Sequence, residues 1–164
     1  MDPLSHLLWV YLAVKFGLVH ALNIKYFLIF SLFPDISYIP FWIYHFKKAY
    51  RNLGNMVSPT KDMIQNTPWI INKFYFLFHS IPFILFFSLV VGLIFGLQMF
   101  FTVLLGWGIH VILDVFSHEG FWATKILYPF SNKSYDFLPW YNSKRFNVVN
   151  MALLFFGYLF VYFK

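Results

Sequence analysis

The sequence predicts an all-α fold, a polytopic membrane bundle of about five hydrophobic helices with a metal site at one membrane face. Three observations predict it. Of the 164 residues, 60% are hydrophobic and 11% charged, against about 45–50% and about 25% in soluble domains. The 24 Phe residues carry more aromatic surface than a soluble core of this length hides. Apolar runs alternate with two polar stretches, and those stretches hold most of the charge. A single domain over residues 1–164 is expected, because the helices leave no length for a second one.

The first apolar run is Leu4–Leu22, interrupted only by Lys15 and His20. At about 1.5 Å per residue it just crosses a hydrocarbon core of about 30 Å. Its start, Met1-Asp2-Pro3-Leu4-Ser5-His6, has no basic segment, and no small-residue cleavage site follows. A retained span is therefore expected rather than a cleaved leader. After a turn at Ala21-Leu22-Asn23, the second run, Ile24–Phe33, ends at Pro34-Asp35. It reads as a short or partial helix returning toward the side of His6.

Residues 34–73 form the first polar stretch. Within it Ile39–Arg51 alternates aromatic and basic residues, including His45, Lys47, Lys48 and Arg51. That pattern suits a segment lying among lipid headgroups. The third run, Phe74–Leu97, carries Pro82 early; the fourth is Met99–Phe116; the fifth is Val148–Phe163. Between the last two, residues 117–147 make the second polar stretch. There Trp122, Trp140 and Tyr141 are expected as a headgroup-level aromatic belt. Tyr128-Pro129-Phe130-Ser131 is expected as a turn over the site. His20 reads as an interfacial histidine on the opposite side.

If the runs alternate across a bilayer, His6 and both polar stretches share one side. The two stretches hold nine of the twelve basic residues. By the positive-inside rule that side is cytoplasmic, in the cell (inner) membrane, with the N-terminus inside. The acidic residues Asp2, Asp35, Asp62, Asp114, Glu119 and Asp136 belong to it too. The net charge of +6 then suits anionic lipid, at about 1 kcal/mol per Lys or Arg, and no nucleic-acid partner is expected. The chain has no cysteine, which excludes disulfides and thiolate metal sites.

His110, Asp114 and His118 recur every four residues in an otherwise apolar run. On a helix they share one face. An aspartate inside an apolar helix costs about 2.5–3.5 kcal/mol on insertion scales and needs a partner. Neutral imidazole and carboxylate are normal ligands of zinc and similar cations. A buried His–Asp bond that merely joins helices is the plainer reading. His6, Asp35 and His79 fall at the same expected depth. Each has a bland alternative: an interfacial histidine, a turn cap and a hydrogen bond to a nearby carbonyl. Glu119 is either a general base or a solvated residue at a helix end.

The order Ser5-His6, Phe33-Pro34-Asp35, His79-Ser80, His110-x-x-x-Asp114 and Tyr128-Pro129-Phe130-Ser131 resembles the membrane-bound metal-dependent hydrolases of the LexA-regulated, YdjM-like type. Those are similar in motif order to zinc-dependent phospholipase C and the P1-type nucleases. The resemblance implies a helical fold, a divalent metal, zinc first, and His6, Asp35, His79, His110 and Asp114 as ligands. It makes Asp114 a bridging carboxylate and a catalytic group, with His118 as an added ligand. Ser37 stands where that family often has a second acid, and Phe74-Tyr75-Phe76 where it has His-Arg-Gly.

The expected function is hydrolysis of a phosphoester, phospholipid included, at the cytoplasmic face, with membrane lipid as partner. The alternative is a non-catalytic membrane protein whose His/Asp cluster is structural or binds an ion. A proton relay would continue into the far half of the bilayer, which is almost purely Phe, Leu, Ile and Val. Haem needs no aspartate, and histidines eight apart on one helix cannot face each other across an iron.

Overall fold

A computed structural model describes residues 3–17, 23–51, 61–137 and 143–164. The first helix, α1 (Pro3–Lys15), begins on a proline, whose missing N–H is no loss in a first turn. Helix α2 (Ile24–Leu32) is capped by Asn23, whose side chain accepts the Tyr26 N–H at 3.4 Å.

Pro34 cannot donate to an α-ladder. The chain answers by tightening into a 3-10 segment, Phe33–Tyr38, and then resumes as α3 (Ile39–Arg51). The second apolar run therefore does not stop at Pro34-Asp35. It continues as a rod, Ile24–Phe46, of 23 residues. This corrects the sequence reading of a short helix followed by a polar stretch, and it sets Asp35 within the rod instead of after it.

A short helix, α4 (Lys61–Gln65), precedes α5 (Trp69–Phe78) and α6 (Ile81–Phe95). The third apolar run is this bent pair, turned by 66° at the break. Pro82 forces the break by lying in the first turn of α6. Trp107 donates its indole N–H to the Phe78 carbonyl there at 2.8 Å. Gly96, at φ 91°, then reverses the chain directly into α7 (Leu97–Ser117); that backbone region favours glycine.

Helix α7 is the centre of the bundle, flanked by α6 and α2. Gly106 lets it approach α2: a Cβ there would lie 2.7 Å from the Phe27 carbonyl oxygen. Trp107 anchors the core, with Phe33, Phe78, Phe83 and Phe87 around it. A second core gathers Phe41, Met63, Tyr75 and Trp122. A second 3-10 turn, Gly120–Trp122, and a β-bridge between Thr124 and Tyr135 follow α7.

The last helix, α8 (Lys144–Phe163), is capped by Ser143 accepting the Phe146 N–H at 3.1 Å. It runs parallel to α1, pairing Tyr158 with Tyr11 and Phe160 with Phe16. Among the described residues three helices are long and apolar enough to cross a membrane, Ile24–Phe46, Leu97–Ser117 and Lys144–Phe163, and the bent pair makes a fourth if counted as one span. The expected helical fold is thus met, although α1 ends at Lys15 and is only 13 residues long.

Candidate metal centre

Helix α7 supplies two of the six grouped side chains one turn apart, His110 and Asp114, both fully buried. His6 comes from the first turns of α1, Asp35 from the 3-10 segment after α2, and His79 from the joint between α5 and α6. Asp114 is the hub. Its Oδ1 is 3.0 Å from His6 Nε2 and 3.1 Å from His118 Nδ1. Its Oδ2 is 3.0 Å from His110 Nε2 and 3.3 Å from His79 Nε2. Asp35 closes the other side, with Oδ1 3.7 Å from His110 Nε2 and Oδ2 4.0 Å from His6 Nδ1.

Several of these separations are short, but the groups are not aligned as hydrogen bonds. His6 Nδ1 and Nε2, His79 Nε2, His110 Nε2 and Asp35 Oδ2 are buried with no hydrogen-bond partner among the described residues. A buried polar atom left so costs about 1–3 kcal/mol, and here such atoms converge from four segments. A divalent cation satisfies such a set at once. Two groups of donor atoms lie within 4.8 Å of one another, His6, Asp35 and His110, and His79, His110 and Asp114. The donor set, imidazole nitrogen and carboxylate oxygen, fits zinc.

The outer nitrogens of two rings are already committed. His79 Nδ1 donates to the Tyr75 carbonyl at 2.9 Å, and His110 Nδ1 donates to the Ser31 carbonyl at 2.7 Å. Each bond fixes the tautomer that leaves Nε2 as a lone pair facing the cluster. His118 is nearly fully buried, and that burial pushes its imidazole below its ordinary pKa, which favours the neutral form that ligates metals. Around His79 lies a tyrosine shell. The Tyr75 ring is 4.3 Å from it, and the Tyr75 hydroxyl donates to the Trp122 carbonyl at 3.1 Å. The Tyr38 hydroxyl donates to that of Tyr75 at 3.4 Å.

A family model described as zinc-dependent phospholipase C matches residues 4–146. The chain belongs to the zinc-dependent phospholipase C family. No curated protein and no solved structure matches it. It is accordingly a metal-dependent hydrolase acting on phosphoesters, and its cofactor is a divalent metal, zinc. The match contains every residue of the cluster.

In this phospholipase C family chain, His6, Asp35, His79, His110, Asp114 and His118 come together as their sequence positions suggest. His118 is the C-cap of α7: its N–H still donates to the Asp114 carbonyl at 3.0 Å, and its ring meets the Asp114 carboxylate one turn along the same face, as the spacing predicts. Glu119 is not brought to the cluster; no ion pair joins it to the imidazoles among the described residues, and its side chain is half-buried beside the second 3-10 turn.

Other expectations are corrected. His45 is no part of a headgroup strip: it is buried, with Nε2 2.9 Å from the Thr67 hydroxyl. Trp122 is core rather than belt, packed on Tyr75, Tyr38 and Phe41. The Tyr128-Pro129 turn packs on Phe76 of α5 instead of over the carboxylates, and Phe130 is exposed. His20, Trp140 and Tyr141 lie outside the described residues. Sequence reasoning missed Tyr38 and Tyr75. Tyr75 had a signal, its place one turn before His79; Tyr38 had the matching one, three residues after Asp35.

Proposed function

We propose that this chain is a membrane-embedded zinc phosphoesterase that cleaves phospholipid headgroups at the cytoplasmic face, its N-terminus inside the cell. One observation carries the chemistry: imidazoles and carboxylates from four segments converge on Asp114, at 3.0–3.3 Å for the four histidines. His6, Asp35, His79, His110, Asp114 and His118 would hold the metal. Zinc bound there supplies a Lewis acid, which lowers the pKa of a water toward about 7 and polarises a phosphoryl oxygen.

The chain's own groups do the rest. Asp114 is wholly enclosed among four imidazoles. Asp35 is different: its side chain is 19% exposed, whereas those of His6, His110 and Asp114 are 0% exposed. A phosphoryl group therefore approaches past Asp35. That carboxylate is the most exposed of the six grouped side chains and marks the open side of the cluster.

Several features support the membrane setting. The long helices expose Leu, Ile and Phe over most of their outer faces. The metal-ligating residues of α7 lie at the end of that helix from which the second polar stretch, residues 117–147, departs, and Gly96 turns the chain at its other end. The lipid headgroup is the phosphoester found at that depth.

Detergent-purified chain tests the reading. We expect bound zinc by elemental analysis and release of a phosphorylated headgroup from phospholipid in mixed micelles, and Asp114→Asn should lose both. A wild-type protein that retains no zinc, or an Asp114→Asn variant that matches it, would sink the proposal.

A further inference from the structure

Asn150 is a buried polar residue on α8, 6% exposed, in a helix whose neighbouring side chains are mostly exposed and apolar. The family match stops at residue 146 and so assigns it nothing. Its amide makes two bonds to α1. The oxygen accepts the Trp9 indole N–H at 2.7 Å, and the nitrogen donates to the Ser5 hydroxyl at 3.1 Å.

Ser5 and Trp9 are one turn apart and share a face. His6 follows Ser5 directly, on the adjoining face turned toward Asp114. A further difference separates His6 from its neighbours. His79 and His110 are each held by a backbone carbonyl at Nδ1, whereas neither ring nitrogen of His6 has a hydrogen-bond partner among the described residues. The aim of the His6 ring therefore depends on how α1 is rotated about its own axis. Helix α1 is short, and its buried apolar residues are Val10 and Leu12, one to two turns beyond His6.

We propose that Asn150 is a positioning residue for the zinc centre, fixing the rotation of α1 through Ser5 and Trp9 so that His6 meets Asp114. This rests on the zinc reading above. The bond from α8 does for the His6 helix what the Ser31 and Tyr75 carbonyls do for the other two rings.

The test is zinc affinity, measured by chelator competition on metal-free full-length protein in detergent. Asn150→Ala and Ser5→Ala should each weaken zinc binding about tenfold, the lower end of the range for partners of metal ligands. The double variant should be no weaker than Asn150→Ala alone, since that change already removes the bond to Ser5. Tyr158→Phe is the control. It breaks another bond between the same helices, the Tyr158 hydroxyl to the Leu8 carbonyl at 2.8 Å, and should leave zinc affinity at the wild-type value.

Wild-type affinity in Asn150→Ala and Ser5→Ala overturns the proposal. So does an equal loss in Tyr158→Phe, which would make α8 a general support. Should Asn150→Ala fail to fold, Ser5→Ala decides alone. Failure of wild-type protein to take up zinc would instead remove the functional reading on which this one stands.

Discussion

The Ser31 carbonyl accepts the Nδ1 proton of His110 at 2.7 Å, so α2 orients a ligand carried by α7. The bond exists because the two helices pack without a side chain between them at Gly106, one turn before His110. There a Cβ would meet the Phe27 carbonyl oxygen at 2.7 Å. Backbone cannot yield as a side-chain tip does. Gly106→Ala should push α2 from α7, destabilise the protein by about 1–3 kcal/mol, and weaken zinc binding about tenfold through the lost Ser31 bond. Thermal unfolding in detergent and chelator competition measure the two effects, and unchanged zinc affinity would show that the Ser31 bond is dispensable.

His118 and Glu119 are neighbours in sequence but not in role. His118 Nδ1 lies 3.1 Å from Asp114 Oδ1, and Glu119 is outside the cluster. His118→Ala should lower zinc occupancy after dialysis against a mild chelator, whereas Glu119→Gln should keep wild-type zinc content. Zinc loss in Glu119→Gln would mean that the helix end rearranges to bring the glutamate inward.

The Trp107 indole bridges the joint between α5 and α6 to α7. Trp107→Phe keeps most of the ring packing but leaves the Phe78 carbonyl without the donor that now lies at 2.8 Å. We expect a loss of about 1–3 kcal/mol in stability, seen as a lower unfolding temperature at constant detergent concentration. No change would place the strength of the joint in the surrounding phenylalanines.

Orientation is open to direct labelling, because the chain has no native cysteine. Asn132→Cys, on the exposed second polar stretch, should react with an impermeant maleimide only in inverted vesicles. Lys164→Cys, at the far end of α8, should react only in right-side-out cells. The reverse pattern would place the cluster on the outer face.

The pairing of His110 with Asp114 was legible because both are on one helix, where spacing alone sets the geometry. The joining of His6, Asp35 and His79 was legible only through the order of motifs, since no local period connects α1 to α7. Pro34 misled the reading of the second helix: a proline removes one donor, but in the first turn of the 3-10 segment that donor had no partner to lose, so the chain continues past it. Trp122 and His45 misled in another way. Aromatic and amphipathic residues near a membrane surface look the same in sequence whether they face headgroups or fill a core, and only the packing of Tyr75 and Thr67 decides. Asn150 gave no sign at all, as its partners are 141 and 145 residues away.

The break at His79 and Ser80 makes the chain unforgiving of insertions. One residue more or fewer between Tyr75 and the break would swing the imidazole by about 100°, away from Asp114. The same change past Tyr158 moves no group of the cluster. Related chains should therefore keep the count from Tyr75 to Ser80 invariant while their tails differ freely in length.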